Sequence, residues 1–446
     1  MKNRILTLCF TGLSLLSLGA QDLDLSSYLE LVEKNSKDLY SADIDQKIAT
    51  AQEKLARSQT RPMISASAGY TRNFLDITMP AAAYVTPNTG TPGMYDINYV
   101  DVPANRNNDF EYSVGAQQLL FDMKIFRALE ASARYKDLTG TIYEANRQGI
   151  LTAAKRVYYQ TILLKEVYQV KKETEQNAYD TYLDIQKKYD NELASELDVL
   201  QAEVNWQINI PETTTAARNR DLALNNLKHL AGIDLDNKVS LTGSLTFIPV
   251  SPEDEELGTI MSARPDYQAI QGQIALQEIN VSATRAEFYP TLSASFGYGW
   301  KTSSDDFELK DGTDGMTAGL TLTIPIFYGG SRFAKMDDAR LDLEKSRVSL
   351  LKKQDDIRTE IINLQLLLDE ASSRIVSAET TLKTAKKAYS IMEVSSRNGM
   401  ATQLDMKDAR LNLSSALLNF YAASYDYLDA YFQWQQATGE GDKLPF

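Results

Sequence analysis

The chain has 446 residues, of which 24% are charged and 43% hydrophobic, and it carries a formal net charge of −14. A single histidine and a single cysteine provide too few ligands for a Cys/His zinc cluster and exclude a disulfide framework. The acidic balance argues against a nucleic-acid-binding protein, because phosphate contacts need a basic surface. The composition therefore indicates an ordered, acidic protein that lacks the residues most hydrolytic and redox chemistry uses.

The first twenty residues have the layout of a secretory signal peptide. Lys2 and Arg4 precede an apolar run over residues 5–18, and a small-residue cleavage point follows near Gly19. The run of about 14 residues is shorter than the roughly 20 that a membrane-spanning helix needs. The sequence thus predicts an exported chain whose signal is residues 1–20, and it predicts no helical transporter.

The rest of the chain is a tandem duplication. Residues 62–70 resemble 290–298 at an offset of 228, and residues 191–198 resemble 398–405 at an offset of 207. The smaller second offset means that the first copy has extra residues between its two matched segments. They fall in residues 70–119, where Pro, Gly and Asn are frequent, and this composition predicts a long loop.

The duplication and the signal peptide together predict how the chain is divided. We expect a signal peptide (1–20), a first repeat (21–232), a linker (233–255), a second repeat (256–437) and a C-terminal tail (438–446).

Four segments alternate between apolar and small or polar residues with the period of a β-strand. We expect strands at about 63–74, 110–121, 291–300 and 316–327. Each has a core of about ten residues, the length a tilted strand needs to cross a bilayer with its apolar row toward lipid. The same alternation suits a half-buried hairpin of a soluble periplasmic domain. Periodicity alone leaves both interpretations open.

Two segments of about 68 residues, 122–190 and 331–398, contain no proline and predict helices of roughly 100 Å. The second has a four-three apolar seam: Ile357, Ile361, Leu364, Leu368, Ala371, Ile375, Ala378, Leu382, Ala385, Tyr389 and Met392. The helix that follows it has another: Met406, Ala409, Leu413, Ala416, Phe420, Ala423, Tyr427, Ala430 and Trp434. These seams predict antiparallel coiled-coil packing. The turns are expected near Asn191 and Asn398, and a kink is expected at Pro211.

A polar stripe runs beside the last seam: Asp405, Asp408, Asn412, Ser415, Asn419, Ala422, Asp426 and Asp429. A solvated outer face is the common explanation of such a stripe. Four strands per chain are too few to close a barrel, however, and symmetric association would close it. In that assembly the stripe is expected to line a wet tunnel.

The order and duplication of several short motifs resemble the TolC family of outer-membrane efflux proteins. The motifs are Ala263-Arg264-Pro265-Asp266-Tyr267, the Pro-x-x-Ser-x-Ser-x-Gly-Tyr strand openings at 62 and 290, Leu120-Phe121-Asp122, Pro325-Ile326-Phe327-Tyr328-Gly329-Gly330 and the Asn-x-x-Ala-Ser/Thr-x-Leu-Asp turns. The resemblance implies a mainly helical α+β chain. Three copies would form a twelve-stranded β-barrel in the outer membrane of a Gram-negative bacterium and a twelve-helix periplasmic α-barrel.

The resemblance also implies function and partners. It implies a passive exit duct for efflux or type I secretion, a homotrimer with no enzymatic activity, no cofactor and no nucleic acid. The expected partners are outer-membrane lipid, a periplasmic adaptor and an inner-membrane transporter of the RND or ABC type. The alternative is a periplasmic coiled-coil structural or adaptor protein without a membrane barrel.

Carried over to this sequence, the family's aperture carboxylates fall on Asp198, Asp405 and Asp408. The adaptor-contact turns fall on Asn191, Glu192, Leu193, Asn398, Gly399 and Met400. Ala401 and Ser396 occupy positions where the best-known relative has an arginine and a tyrosine, so a closing network of that kind is not expected. We expect instead that acidic rings favour cations.

Overall fold

The computed structural model describes residues 21–88, 90, 92–246, 256–398 and 400–444. The predicted signal peptide, part of the predicted linker, Gly399 and the last two residues of the predicted tail therefore lie outside the described residues. The chain divides into two compact units. The first contains the described parts of Met1–Asp45, Gly140–Ala269 and Leu350–Phe446, and the second contains those of Gln46–Thr139 and Ile270–Ser349.

Helices dominate the described structure. The first half contains β1 (Gln21–Leu23), α1 (Leu25–Asn35), α2 (Lys37–Ser58), β2 (Met63–Arg72), β3 (Thr78–Pro87), β4 (Tyr95–Pro103), β5 (Asn108–Phe121), α3 (Met123–Asp190) and α4 (Glu196–Leu230). The second half contains β6 (Val239–Leu241), α5 (Leu257–Ala263), α6 (Pro265–Ala286), β7 (Thr291–Ser304), β8 (Thr313–Thr323), α7 (Ser331–Arg397) and α8 (Gln403–Ala437). Among the described helices, none combines the length and the hydropathy needed to cross a membrane.

The predicted coiled-coil seams form two of the three buried clusters of the described core; the third joins α1, α3 and α4. Ile357 and Leu368 of α7 are buried in one cluster with Tyr427 and Trp434 of α8. A second cluster continues the same seams toward the far end of the pair, and it contains Ile375, Leu382, Ala416, Phe420 and Ala423. The antiparallel packing expected from the four-three spacing is confirmed.

The motif around Arg264 joins three helices of the first unit. Buried Arg264 donates hydrogen bonds to Asp266, to Glu360 of α7 at 2.7 Å and to the Ala437 carbonyl at the end of α8 at 2.9 Å. Lys353 adds an ion pair with Asp266 at 2.8 Å. Burial alone would raise the pKa of Asp266, but the hydrogen bonds and charges of Arg264 and Lys353 lower it well below its ordinary value.

The second unit contains an antiparallel sheet in the order β2-β5-β7-β8. Its register aligns the predicted apolar rows across all four strands, because residues directly opposite one another share a face. One such row is Ala66, Val114, Tyr298 and Met316. The adjacent row on the other face is Ser67, Ser113, Gly299 and Gly315. The sheet therefore has one apolar face and one face of small or polar residues.

Two details of the second unit differ from the sequence prediction. Strand β8 ends at Thr323 instead of continuing to about residue 327, since Pro325 has no N–H for a ladder hydrogen bond. The long loop expected within residues 70–119 is wrong, because β3 and β4 pair there as an antiparallel ribbon. Both strands of a two-stranded ribbon are edges, which is where a strand tolerates proline such as Pro80.

Candidate functional site

The turn between α3 and α4 is a Schellman motif, in which two backbone hydrogen bonds close the end of a helix. The Leu193 N–H donates to the Lys188 carbonyl at 2.7 Å, and the Glu192 N–H donates to the Tyr189 carbonyl at 2.9 Å. Glu192 has a φ of 61°, in the left-handed region that favours glycine. A residue with a side chain at this position therefore strains the backbone.

The turn between α7 and α8 repeats this geometry. The Met400 N–H donates to the Ser395 carbonyl at 2.9 Å, the counterpart of the Leu193 bond 207 positions earlier. Gly399, the residue equivalent to Glu192, lies outside the described residues. The two predicted turns therefore share the backbone hydrogen bond that closes the end of the preceding helix.

Capping boxes start α4 and α8, and they use two of the three predicted aperture carboxylates. Asp198 accepts hydrogen bonds from the Ser195 N–H at 3.0 Å and hydroxyl at 2.7 Å, and its own N–H donates to the Ser195 hydroxyl at 3.2 Å. Asp405 makes the same three bonds with Thr402, at 3.0, 2.6 and 3.2 Å. The Ser/Thr-x-x-Asp spacing is the sequence signal of this motif.

The hydrogen bonds fix the charge state of these two exposed side chains. Side-chain and backbone bonds from Ser195 lower the pKa of Asp198, and those from Thr402 lower the pKa of Asp405. A carboxylate that accepts several hydrogen bonds is stabilised in its charged form. Both groups are therefore anionic at neutral pH and well into the acid range.

The third predicted carboxylate, Asp408, lies one turn further along α8 and is exposed. Within the described ranges it makes no hydrogen bond or ion pair that would give it a capping role like that of Asp405. Further along the polar stripe, Asp426 pairs with Arg374 of α7 at 3.0 Å and Asp429 pairs with Arg156 of α3. The stripe is thus exposed near the turn and tied to neighbouring helices further away.

Arg410, near the turn, is not among the residues that the sequence predicts for the site. Its guanidinium donates to the Thr181 hydroxyl at 3.2 Å and approaches the Asn177 carbonyl at 3.5 Å, so it links α8 to α3. Among the described residues, no hydrogen-bond partner faces its buried Nε. No sequence pattern indicates this contact, because it joins residues 229 positions apart in different repeats.

Exposed apolar side chains mark both turns. Leu193 is 78% and Met400 is 75% exposed. One helical turn beyond them, Leu197 and Leu404 are exposed as well. The positions match at the repeat offset, so both hairpin ends present an equivalent pair of exposed apolar side chains. The predicted contact residues Asn191 and Asn398 are also exposed.

The model of the outer membrane efflux protein family matches residues 28–233 and 257–440. The chain is similar to the alkaline protease secretion protein AprF of Pseudomonas aeruginosa, with 22% identity over 353 residues that cover 77% of this chain and 72% of AprF. It is also similar to the outer membrane efflux protein BepC of Brucella suis, with 22% identity over 435 residues that cover 96% and 88%.

The fold is that of solved outer membrane channels. The CmeC outer membrane channel of Campylobacter jejuni superposes with a TM-score of 0.74 at 22% identity, covering 94% of this chain and 86% of CmeC. The family match covers both repeats and most of the chain. The protein therefore belongs to the outer membrane efflux protein family, whose members are efflux and secretion ducts in the outer membrane of Gram-negative bacteria.

Proposed function

We propose that three copies of this chain form the duct together and that the duct is passive, with no catalytic step. The observation that carries this proposal is the open sheet with one apolar face. Strands β2 and β8 are its two edges, and an unpaired edge in lipid leaves backbone groups without hydrogen bonds. Pairing β2 of one copy with β8 of the next satisfies those groups, and three copies supply twelve strands.

The helices of the first unit support the same assembly. Their polar contacts run in the order α4-α3-α8-α7: Lys171 with Glu212, Thr174 with Ser414 and Arg374 with Asp426. The helices at the two ends of this row carry exposed apolar residues at helical spacing, Leu197, Leu200, Val204 and Ile208 on α4 and Ile362, Leu366, Val376, Ile391 and Val394 on α7. Packing α4 of one copy on α7 of the next covers both stripes.

Asp198, Asp405 and Asp408 are the proposed aperture. Threefold symmetry turns each into a ring of three carboxylates beside the helix ends. Because their capping bonds keep Asp198 and Asp405 charged, the rings favour cations and oppose anions over the physiological pH range. In this arrangement Asp408 is the carboxylate free to face the passing solute, while Asp198 and Asp405 also hold the helix starts.

The two hairpin ends are the proposed adaptor contact, with Leu193 and Met400 as its apolar anchors. A periplasmic adaptor and an inner-membrane transporter of the RND or ABC type complete the proposed system. AprF is named for protease secretion and BepC for efflux. This supports a duct for either exported proteins or small molecules, with cargo selected by the transporter.

Isolation of the protein from outer membranes tests the proposal. We expect it to migrate in unheated gels as a trimer that heating converts to monomer, and to form channels in planar bilayers. Recovery as a soluble periplasmic monomer would contradict the duct and would favour the coiled-coil alternative. Crosslinking from Leu193→Cys, with exposed Lys172→Cys of α3 as control, is expected to capture the adaptor only from the turn.

A further inference from the structure

The loop that joins β7 and β8, residues 305–312, folds back onto the apolar face of the four-stranded sheet. The ring of Phe307 lies 5.3 Å from that of Tyr70 and 5.0 Å from that of Phe110. Tyr70 and Phe110 are directly opposite each other in β2 and β5. Tyr70 follows Ala66 by four positions in the same strand, so both residues are on the apolar face. Phe307 therefore packs on that face and not on the polar one.

The end of the β7–β8 loop rests on the same face. Gly312 lies directly on the indole of Trp300, since a Cβ atom at Gly312 would be 2.1 Å from the ring. The Lys310 carbonyl accepts a hydrogen bond from the hydroxyl of buried Thr302 at 2.5 Å. Thr302 is opposite Phe110, and Trp300 precedes it by two positions, so both are on the apolar face. The loop is thus held there at its middle and at its end.

Two residues of the β7–β8 loop have strained backbones. Phe307 has a φ of 55° and Asp311 has a φ of 54°, both in the left-handed region that favours glycine. Such conformations persist only where the surrounding structure imposes them. The contacts with the aromatic rings of the sheet supply that constraint, so the position of the loop on the apolar face is specified by its sequence.

Apolar and charged side chains alternate along the β7–β8 loop. Phe307 is 64% exposed in spite of its ring contacts, and Leu309 is 63% exposed. The residues between and beside them are Asp306, Glu308 and Lys310, and the last two form an ion pair at 2.7 Å. Exposed apolar side chains next to charged ones suit the boundary between hydrocarbon and lipid headgroups, where each kind finds its own surroundings.

The place of the β7–β8 loop on the sheet favours lipid as its partner. Its contacts with Phe110 and Trp300 lie on β5 and β7, the two central strands. In the proposed duct, a neighbouring copy adds strands beside the edges β2 and β8. The middle of the apolar face is then left to lipid, and the loop is continuous with that surface.

The height of the β7–β8 loop above the helix junctions agrees with a membrane boundary. Phe110 and Phe121 are 11 positions apart in β5, which is about 37 Å along an antiparallel strand. With a strand tilt of about 40°, this length spans about 28 Å across the membrane. The apolar band of outer-membrane barrels is about 25 Å high and has aromatic residues at both borders. Phe121 leads into α3, so Phe307 marks the border away from the helices.

We infer that the β7–β8 loop is a lipid-binding element, which inserts Phe307 and Leu309 among the acyl chains of the outer leaflet. Its charged side chains lie in the headgroup layer. This inference rests on the proposed duct and deepens it, because it names the segment that fixes the depth of the barrel at the cell surface. The partner is membrane lipid, bound through its hydrocarbon chains.

Fluorescence quenching by brominated lipid tests the inference. In a Cys9→Ser background, which leaves no native cysteine, Leu309→Cys and the control Ser303→Cys each receive a bimane label. Ser303 is exposed and lies on the polar face, opposite Asp109. The labelled channels are reconstituted in vesicles of phosphatidylcholine that is brominated in the upper part of its acyl chains.

We expect the brominated lipid to quench the label at residue 309 at least about three times as strongly as the label at residue 303. Iodide in the water should quench the two labels in the reverse order. Equal quenching of both labels by the lipid would overturn the lipid-binding loop. Strong quenching of the label at residue 309 by iodide would overturn it too, because the loop would then face water or a soluble partner.

A pair of glycine substitutions tests whether the contact with Trp300 places the loop. A methyl group at Gly312 would collide with the indole, whereas one at Gly315 has no neighbouring atom within 4 Å. Gly312→Ala is therefore expected to reduce the lipid quenching at residue 309 at least about twofold, and Gly315→Ala should leave it unchanged. Unchanged quenching in Gly312→Ala would refute this placement of the loop.

Gel migration before and after heating separates failure of the loop from failure of the duct. A heat-sensitive trimer that forms channels, but whose label at residue 309 is not quenched by the brominated lipid, would refute the lipid-binding loop and leave the duct intact. Recovery of the wild-type protein as a soluble monomer would refute the duct, and the lipid-binding loop with it.

Discussion

Glu192 occupies the position in the first helical turn that Gly399 occupies in the second. Its left-handed φ of 61° is strained for any residue with a Cβ atom. At the same turns, Asp198 and Asp405 close capping boxes, so their presence has a structural reason beside the proposed one. Asp198 and Asp405 therefore stabilise the starts of their helices, and their negative charges are also available to the proposed aperture.

Replacing Glu192 by glycine is expected to relieve the strain and stabilise the first turn by about 1 kcal/mol. Hydrogen exchange of the turn amides, read by mass spectrometry, should slow roughly fivefold. Glu192→Ala is the matched control, because it removes the charge and keeps the Cβ atom. Equal slowing in both variants would show that charge, rather than backbone conformation, limits the turn.

Asp408→Asn tests the aperture without disturbing a capping box. We expect block of the channel by a multivalent cation to need a roughly threefold or higher concentration, since three charges leave the aperture. Asp180→Asn, which changes an exposed carboxylate of α3, should leave the block unchanged. If Asp408→Asn and Asp180→Asn behave alike, the stripe is a solvated outer face.

At the scale of elements, the Arg264 cluster connects the start of α6, the middle of α7 and the end of α8. Hydrophobic seams hold α7 and α8 along their length but leave their longitudinal register to directional contacts. The buried guanidinium with its fixed partners supplies such a contact. The middle of α7 and the end of α8 are thereby tied together far from their turn.

Asp266→Asn is expected to lower the free energy of unfolding at pH 7 by about 1 kcal/mol, a modest value because the side chain of Asp266 is 37% exposed. The folded state lowers the pKa of Asp266. Its contribution is therefore complete above the ordinary carboxyl pKa of about 4 and is lost as the pH falls through the lowered value.

Urea unfolding in detergent at several pH values measures this effect. The difference between wild type and Asp266→Asn should shrink in the acid range. Glu278→Gln, which breaks the exposed ion pair with Arg347, is the control and should change stability by less than about 0.5 kcal/mol. A constant difference at all pH values would contradict the role given to the carboxylate.

At the scale of the whole molecule, one chain leaves two kinds of open boundary. Within the described part of the chain, the sheet has unpaired edges at β2 and β8, and the helix row has uncovered apolar stripes on α4 and α7. Closure by further copies satisfies backbone hydrogen bonds in the first case and hydrophobic burial in the second. A trimer with threefold symmetry would pair the sheet edges and cover the apolar stripes at the same time.

Ile208→Glu is expected to reduce the trimer at least about tenfold, because the packed α4 stripe would then have to bury a charge. The exposed Gln176→Glu adds the same charge to α3, a helix inside the row, and should assemble normally. Light scattering of the detergent-solubilised protein and unheated gel migration both measure assembly. Normal trimers in Ile208→Glu would show that α4 faces solvent or the adaptor instead.

Sequence alone determined the features that depend on periodicity and repetition. The alternation at residues 292–300 and the four-three seam from Ile357 were sufficient for strand and helix types, since these periods follow from local backbone geometry. The duplication located both helical turns. The composition of residues 78–103 predicted a loop where the structure has a ribbon. Turn-forming residues such as proline are also tolerated in a ribbon, because both of its strands are edges.

Only the tertiary structure decided which distant residues meet. The register of four strands aligned Ala66 with Met316 across the sheet, and packing brought Arg410 to Thr181. Such contacts depend on side-chain geometry between segments that are far apart in the chain, and no local pattern in the sequence encodes that geometry.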